Sequence, residues 1–415
     1  MSNALLSMLR RGNSQVSQPV HVSGENVEMR IAIFDYRVIG INPTGSCHLA
    51  LLRSLGREHK FTVFAVQFEN PDPRFIQWVR VPVPTRPLAL LFVAYHILAP
   101  CMYLWHRIRT GSRFDLVQSV ESNLSFGKLI YSHFSHRTYL HIERPKCYGA
   151  RCLLRKLDHY LHALVERFRY PSAEILVTPS SGLVEDLKRD FCISEERVHV
   201  IPNPIGAARM APPLGFDRMS IRQQEALDCC DIVAIFVALG HFERKGLPLV
   251  LNALQERSLQ TVALLVVGGE VDSCREYQLT AAQCGLGTRV RFMGTRTDVR
   301  PYLWSSDVFI LPSEYESFSL AAYEAAAAGL PILATSVHGI RDILRDGITG
   351  FAITRSVESI VSALEKFMAL PLSARRAVGN NARMAAQAFS EEHFAAKWRD
   401  LYRALDLKTD AIAPK

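Results

Sequence analysis

The chain has 415 residues, 48% apolar and 21% charged, with a formal net charge of +8. These values exclude a disordered chain, a collagen-like chain and a small disulfide scaffold, and the length leaves room for two or three domains, each with its own core. The excess charge lies on one side: 25 Lys+Arg against 17 Asp+Glu over residues 1–208, but 23 of each over 209–415, which is not the pattern of a uniformly basic nucleic-acid binder and suggests that one domain faces something anionic.

Residues 1–28 are polar and aperiodic and read as a disordered tail. The short apolar run Ala4–Leu9 precedes Arg10-Arg11 rather than following it, so a secretory signal is not indicated. Met29, where the first strand pattern begins, is expected to be the true or an alternative start. The nine cysteines, from Cys47 to Cys284, show no CxxC and no zinc spacing, and point to a reducing, cytoplasmic compartment.

From Met29 onward, short apolar runs alternate with helical stretches. MRIAIF (29–34), FTVFAV (61–66), FDLVQSV (114–120), KLIYSHF (128–134), EILVTPS (174–180) and VHVIPNP (198–204) are nearly continuous in apolarity. That suits parallel strands covered on both faces, with helices completing β-α-β units. Residues 88–105 contain no formal charge, yet His96 and Pro100 interrupt them and arginines flank both ends. They read as a helix, either packed into the domain or touching a membrane from one side; flanks that are positive at both ends give no orientation for a span.

The pattern restarts after the polar segment 208–231. IVAIFVALG (232–240), VALLVVGG (262–269), VRFMG (290–294), VFILPS (308–313), PILATS (331–336) and GFAI (350–353) form a second series. Two doubly wound α/β domains are expected, at 29–208 and 209–385, with a helix over 386–415 packing back toward the first. Ligands in such sheets bind beyond the carboxyl ends of the strands, here in the cleft between the two domains.

Two segments carry the chemistry. In LPSEYESFSLAAYEAAAAGLP (311–331) a strand ends at Ser313 and a helix is expected to start near Ser317–Ser319 and stop at Gly329. Its free N–H groups form an anion site. Glu316 and Glu324, with seven residues between them, lie just before that helix start and about two turns in, which suits a ligand with phosphate at one end and hydroxyls on both flanks. In ALGHFERKG (238–246) a strand ends near Gly240 and a loop presents Arg244 and Lys245, adjacent cations suited to a diphosphate but not to a Walker loop. The loop from Gly40 to Gly45, with Pro43, is tight enough to admit a ligand closely.

With these segments in view, the chain resembles a family 4 glycosyltransferase of the GT-B fold over roughly residues 29–405. The family's Glu, seven residues, Glu motif is matched by Glu316 and Glu324, and its phosphate-gripping pair by Arg244 and Lys245. The stretch 290–313, with Gly294 in its tight turn, is similar to the lining of the family's nucleoside pocket. The resemblance implies retaining transfer from a nucleotide-sugar to a glycan or lipid-linked acceptor, with no metal and no other cofactor. Donor binding would fall to Arg244, Lys245, Glu324, Gly45, Gly240, Gly294 and the backbone around Ser317, Phe318, Ser319 and Leu320. Glu316 would hold the donor sugar, and His133, in YSHFSHRTYLHIE (131–143) with His136 and His141, would contact that sugar or relay the acceptor proton. Glu121 is the only ionisable group where relatives often carry a histidine. A sugar-nucleotide epimerase and a non-catalytic nucleotide-sugar-binding subunit share the architecture and stay as alternatives. The basic first half, with six Arg and no acid from Pro73 to Phe114, adds the expectation of peripheral docking on an anionic membrane rather than on nucleic acid.

Overall fold

The computed structural model describes residues 28–142 and 150–412. The expected tail over 1–28 falls almost wholly outside them. The first domain holds β1 (Arg30–Phe34), β2 (Arg37–Val38), β3 (Lys60–Ala65), β4 (Gln67–Phe68), β5 (Ile76–Arg80), β6 (Leu116–Val120), β7 (Leu129–Tyr131), β8 (Ile175–Thr178) and β9 (Val198–Val200). Seven of these make one parallel sheet in the order β5-β3-β1-β6-β7-β8-β9, while β2 and β4 pair separately. The second domain holds β10 (Ile232–Val237), β11 (Val262–Val267), β12 (Val290–Gly294), β13 (Val308–Leu311), β14 (Ile332–Thr335) and β15 (Gly350–Ile353), a parallel sheet in the order β12-β11-β10-β13-β14-β15. Both sheets reverse strand order beside their first strand. That switch opens a crevice at the carboxyl ends.

Most of the expected apolar runs become inner strands, covered by helices on both faces, while those at Val198–Val200, Val290–Gly294 and Gly350–Ile353 become the edge strands β9, β12 and β15. In β1, Ile31 and Ile33 face one cluster with Leu51, Leu55 and Tyr131. Ala32 and Phe34 face another with Phe64, Leu91, Tyr95 and Tyr103. The edge strand β5 was not foreseen: Gln77 and Trp78 are exposed, so its apolar pattern is broken.

The helix Glu391–Ile412 crosses back to the first sheet. Phe394, Trp398, Leu401 and Tyr402 join the cluster of Ile31, Leu129 and Ile175. Arg399 grips Glu58 at 2.6 and 2.7 Å, and the Tyr402 hydroxyl donates to Gln118 at 2.8 Å. Direct contacts also join the domains at the cleft. The Ser180 hydroxyl donates to the Ser317 carbonyl at 2.7 Å, and Arg341 pairs with Glu185 at 2.6 Å. Gly182 sits where any Cβ would collide with His338, so this close approach needs glycine.

Candidate active site

The two motif loops meet at the carboxyl ends of β10 and β13. Gly246 ends the Arg244-Lys245 loop with φ +84°, and a Cβ there would strike the Pro312 carbonyl. That contact fastens the basic loop to the loop after β13. The Glu314 amide donates to the Arg244 carbonyl at 3.0 Å, and the Arg244 guanidinium donates to the Tyr315 carbonyl. Arg355 ties the same junction from below, donating to the Arg244 and Pro312 carbonyls at 2.8 and 2.6 Å. Nothing in its spacing announced this positioning role.

Lys245 and Glu316 form a partly buried ion pair of 2.6 Å. The pair lies just before the helix Leu320–Ala327, so the cation, the carboxylate and the helix start share one corner. The helix begins at Leu320, later than the expected Ser317–Ser319. The reason is a backbone clamp: the Gly339 amide donates to the Glu316 carbonyl at 2.7 Å, and the Ser319 amide donates to the Gly339 carbonyl at 3.3 Å. A Cβ on Gly339 would lie 2.5 Å from the Phe318 nitrogen, so the clamp requires glycine. The Ser319 amide is thereby occupied, while its buried hydroxyl has no partner.

Glu324 lies on that helix between the buried Tyr323 and Ala325. Burial pushes its carboxyl up to about 7. A carboxyl in this condition is receptive to hydroxyl donors, which restore what desolvation removed. Gly240 and Gly294 stand at the ends of β10 and β12, with open space where a Cβ would point. The Gly294 carbonyl accepts from the Gly268 amide at 2.7 Å. Gly45 is placed differently: it lies within the helix Pro43–Leu55, backed against the carbonyl of Arg37. Its absent side chain lets that helix approach the chain after β1.

On the facing side, His133 is buried, and neither ring nitrogen has a partner. Burial and the neighbouring His48 lower its pKa to about 3, so at neutral pH it is a neutral imidazole. A neutral imidazole with such a low pKa is a poor proton acceptor. His141 is exposed on the helix His136–Ile142 and does not join the others.

His136 and Glu121 come together instead, at 3.6 Å. They line a cavity of about 240 Å³ with Asp35, Tyr36, Asn123, Asp158 and His162. The His136 ring stacks on His162 at 4.2 Å, and its amide donates to Glu166 at 2.8 Å. Burial alone would lower its pKa, but Glu121, Glu166 and Asp158 hold it above the usual histidine value. Glu121 adopts φ +46°, an uncommon backbone for a glutamate. The Asn123 side-chain oxygen and the Tyr36 hydroxyl line the same cavity without partners. Phe134 packs on Tyr315 at 5.8 Å, which brings this cavity beside the Glu316 corner. The sequence carried no warning of it, because Asp158 and His162 arrive from a distant helix.

Comparison with known proteins gives the family and the fold. The family described as "Glycosyltransferase Family 4" matches residues 48–209, and "Glycosyl transferases group 1" matches residues 217–385. A D-inositol 3-phosphate glycosyltransferase of Xylanimonas cellulosilytica is 29% identical over 244 residues, covering 56% of this chain and 57% of that protein. The match thus spans little more than half of that relative's length. Among solved structures, WaaG, a glycosyltransferase involved in lipopolysaccharide biosynthesis, superposes with a TM-score of 0.70 at 19% identity, covering 89% of this chain and 99% of its own. HepE of Anabaena, in complex with UDP-glucose, superposes with a TM-score of 0.67 at 16% identity, covering 91% and 100%.

Proposed function

The chain belongs to the family 4 glycosyltransferases of the GT-B fold, and from that premise we propose that it transfers a sugar, with retention, from a nucleotide-diphosphate donor to a glycan or lipid-linked acceptor. The setting we propose is cell-surface polysaccharide or glycolipid synthesis on the cytoplasmic side. The observation that carries this reading is the Lys245–Glu316 pair of 2.6 Å at the head of the helix that bears Glu324.

In the free protein Lys245 is held by Glu316. A bound diphosphate competes for that ammonium. As Lys245 turns to the phosphate, Glu316 is released to accept hydrogen bonds from the donor sugar. Arg244, Lys245 and the amides at the helix start then meet the charge that develops on the departing diphosphate, the contribution that is usually largest in such reactions. This places the required positive charge on side chains, so no metal is assigned. Glu324, two turns further along, takes the ribose hydroxyls. The acceptor oxygen bonds to the anomeric carbon on the face from which the diphosphate leaves. The diphosphate takes the electron pair of the broken bond, and one of its oxygens takes the acceptor proton. The cavity of Glu121, Asn123 and His136 holds the acceptor sugar, its carboxylates and amide accepting from hydroxyls.

The test is transfer itself. With the matching donor and acceptor, the expected product is a glycoside whose anomeric configuration by NMR equals that of the donor, formed equally well with chelator present. An inverted product, an epimerised donor with no glycoside, or activity that chelator abolishes and Mg2+ restores would refute the corresponding part of the reading.

A further inference from the structure

The helix Leu88–Thr110 is long and apolar enough to cross a membrane by length and composition. Its position in the fold argues for another role. One face is built into the first domain: Leu91, Phe92, Tyr95, Ala99, Tyr103 and His106 are buried, and the Tyr95 hydroxyl bonds to the Phe64 carbonyl. The opposite face is exposed and apolar. Leu90, Val93, Ile97, Leu104 and Ile108 follow one another at helical spacing, with Trp105 beside them half exposed.

The helix Ala150–Ser172 repeats the pattern. Its acids Asp158 and Glu166 are buried toward the domain, while Leu153, Leu157, Tyr160, Leu164 and Phe168 are exposed at spacings of four, three, four and four. The two helices are neighbours, since Phe92 of one packs on His162 of the other at 4.4 Å. They also cover the same side of the first sheet. Tyr95 and Tyr103 pack with Ala32 and Phe34, and Tyr170 packs with Ile130 and Leu176, all on the side opposite Ile31, Leu129 and Tyr131. The two apolar stripes therefore face outward together. An exposed apolar surface of this extent marks a docking face.

Charge indicates what docks there. Arg86, Arg107, Arg109 and Arg113 are exposed around the first stripe, and Arg167 beside the second. No acid lies between Pro73 and Phe114. A rim of cations around leucine, isoleucine and aromatic side chains matches an anionic bilayer surface. Arg109 lies over the Trp105 ring at 5.0 Å, which places an indole and a guanidinium together as at a lipid headgroup boundary.

We propose that the outer faces of these two helices together seat the protein on an anionic membrane, lying in its surface rather than spanning it. The cavity of Glu121 and His136 is lined by Leu88 and Leu91 at the start of one helix and by Asp158 and His162 in the other. It therefore opens beside the seated face, and a sugar carried on a lipid headgroup has a short path to it. The seating does not depend on the transferase reading, because vesicle binding is measured without turnover.

The experiment is co-sedimentation of the full chain with phosphatidylcholine vesicles, with and without phosphatidylglycerol. A double variant, Ile97→Glu with Leu164→Glu, interrupts both stripes at exposed positions. The wild type is expected to bind the anionic vesicles, more weakly as salt rises, and the variant to bind at least roughly tenfold more weakly. Its thermal transition should match the wild type, which separates lost docking from lost folding. Failure of the wild type to bind anionic vesicles, or equal binding by the variant, overturns the proposal. So does light scattering that finds a wild-type dimer which the double variant dissociates, since the face would then belong to a second copy of the chain.

Discussion

Replacing Glu324 by glutamine should stabilise the free protein while weakening it as a nucleotide binder. Burial raises this carboxyl from 4.5 to about 7. At about 1.36 kcal/mol per pH unit, that gap amounts to about 3 kcal/mol of folding free energy at most. Below pH 4.5 both the folded and unfolded chains carry the proton, and the group costs nothing. Between 4.5 and about 7 the folded chain keeps a proton that the unfolded chain has released, so stability falls as pH rises. Above that window the folded protein bears the whole cost of a desolvated carboxylate. Glutamine has the same shape and no charge, so its advantage grows through the same window to about 2–3 kcal/mol by about pH 8, several degrees in Tm. Glu166 is also raised to about 7 by burial, so the wild-type pH curve contains both groups. The difference between wild type and Glu324→Gln isolates one of them. Thermal melts of both proteins from about pH 4.5 to about pH 8 provide the assay. Parallel curves would show that Glu324 is not desolvated as described, and would remove the reason for giving it the ribose hydroxyls.

The second carboxylate should behave in the opposite way. Glu316→Gln removes the partner of Lys245 at 2.6 Å, and turnover should fall by roughly 10²-fold or more with little loss of nucleotide affinity, as expected for a group that acts on the transferred sugar; equal, small effects on both would count against its role. Trp398, fully buried where the final helix meets the first sheet, should cost about 3–5 kcal/mol when cut to alanine. A melt shifted by less than about a degree would mean that this helix does not close the first domain's core.

Much of the fold was legible because the inner strands are covered on both faces. Ile232–Val237 and Val262–Val267 are continuous apolar runs for that reason. The edge strand Ile76–Arg80 was not, since Gln77 and Trp78 interrupt its pattern at the surface. The helix at 88–110 shows a different limit. Apolar residues occupy both of its faces, so composition alone allows burial or membrane contact. Only the fold shows that Tyr95 points inward and Ile97 outward. At the site, Glu316, Glu324, Arg244 and Lys245 stand in two short segments with informative spacing. The Gly339 clamp and Arg355 do not, because their roles rest on backbone carbonyls that carry no sequence signal. Likewise, His136 and Glu121 meet Asp158 and His162 only because a long helix returns across the strand ends.

On this reading a nucleotide-diphosphate sugar occupies the corner formed by Lys245, Glu316 and Glu324. A thermal-shift screen of such donors against the wild type and Lys245→Ala decides the matter. A ligand present at about 100 times its Kd stabilises the fold by about 2.7 kcal/mol, a shift of several degrees. At least one donor should raise the wild-type transition by that amount, and the same donor should lose most of its effect on Lys245→Ala. No shift from any nucleotide-sugar, or a shift that Lys245→Ala leaves unchanged, would contradict it.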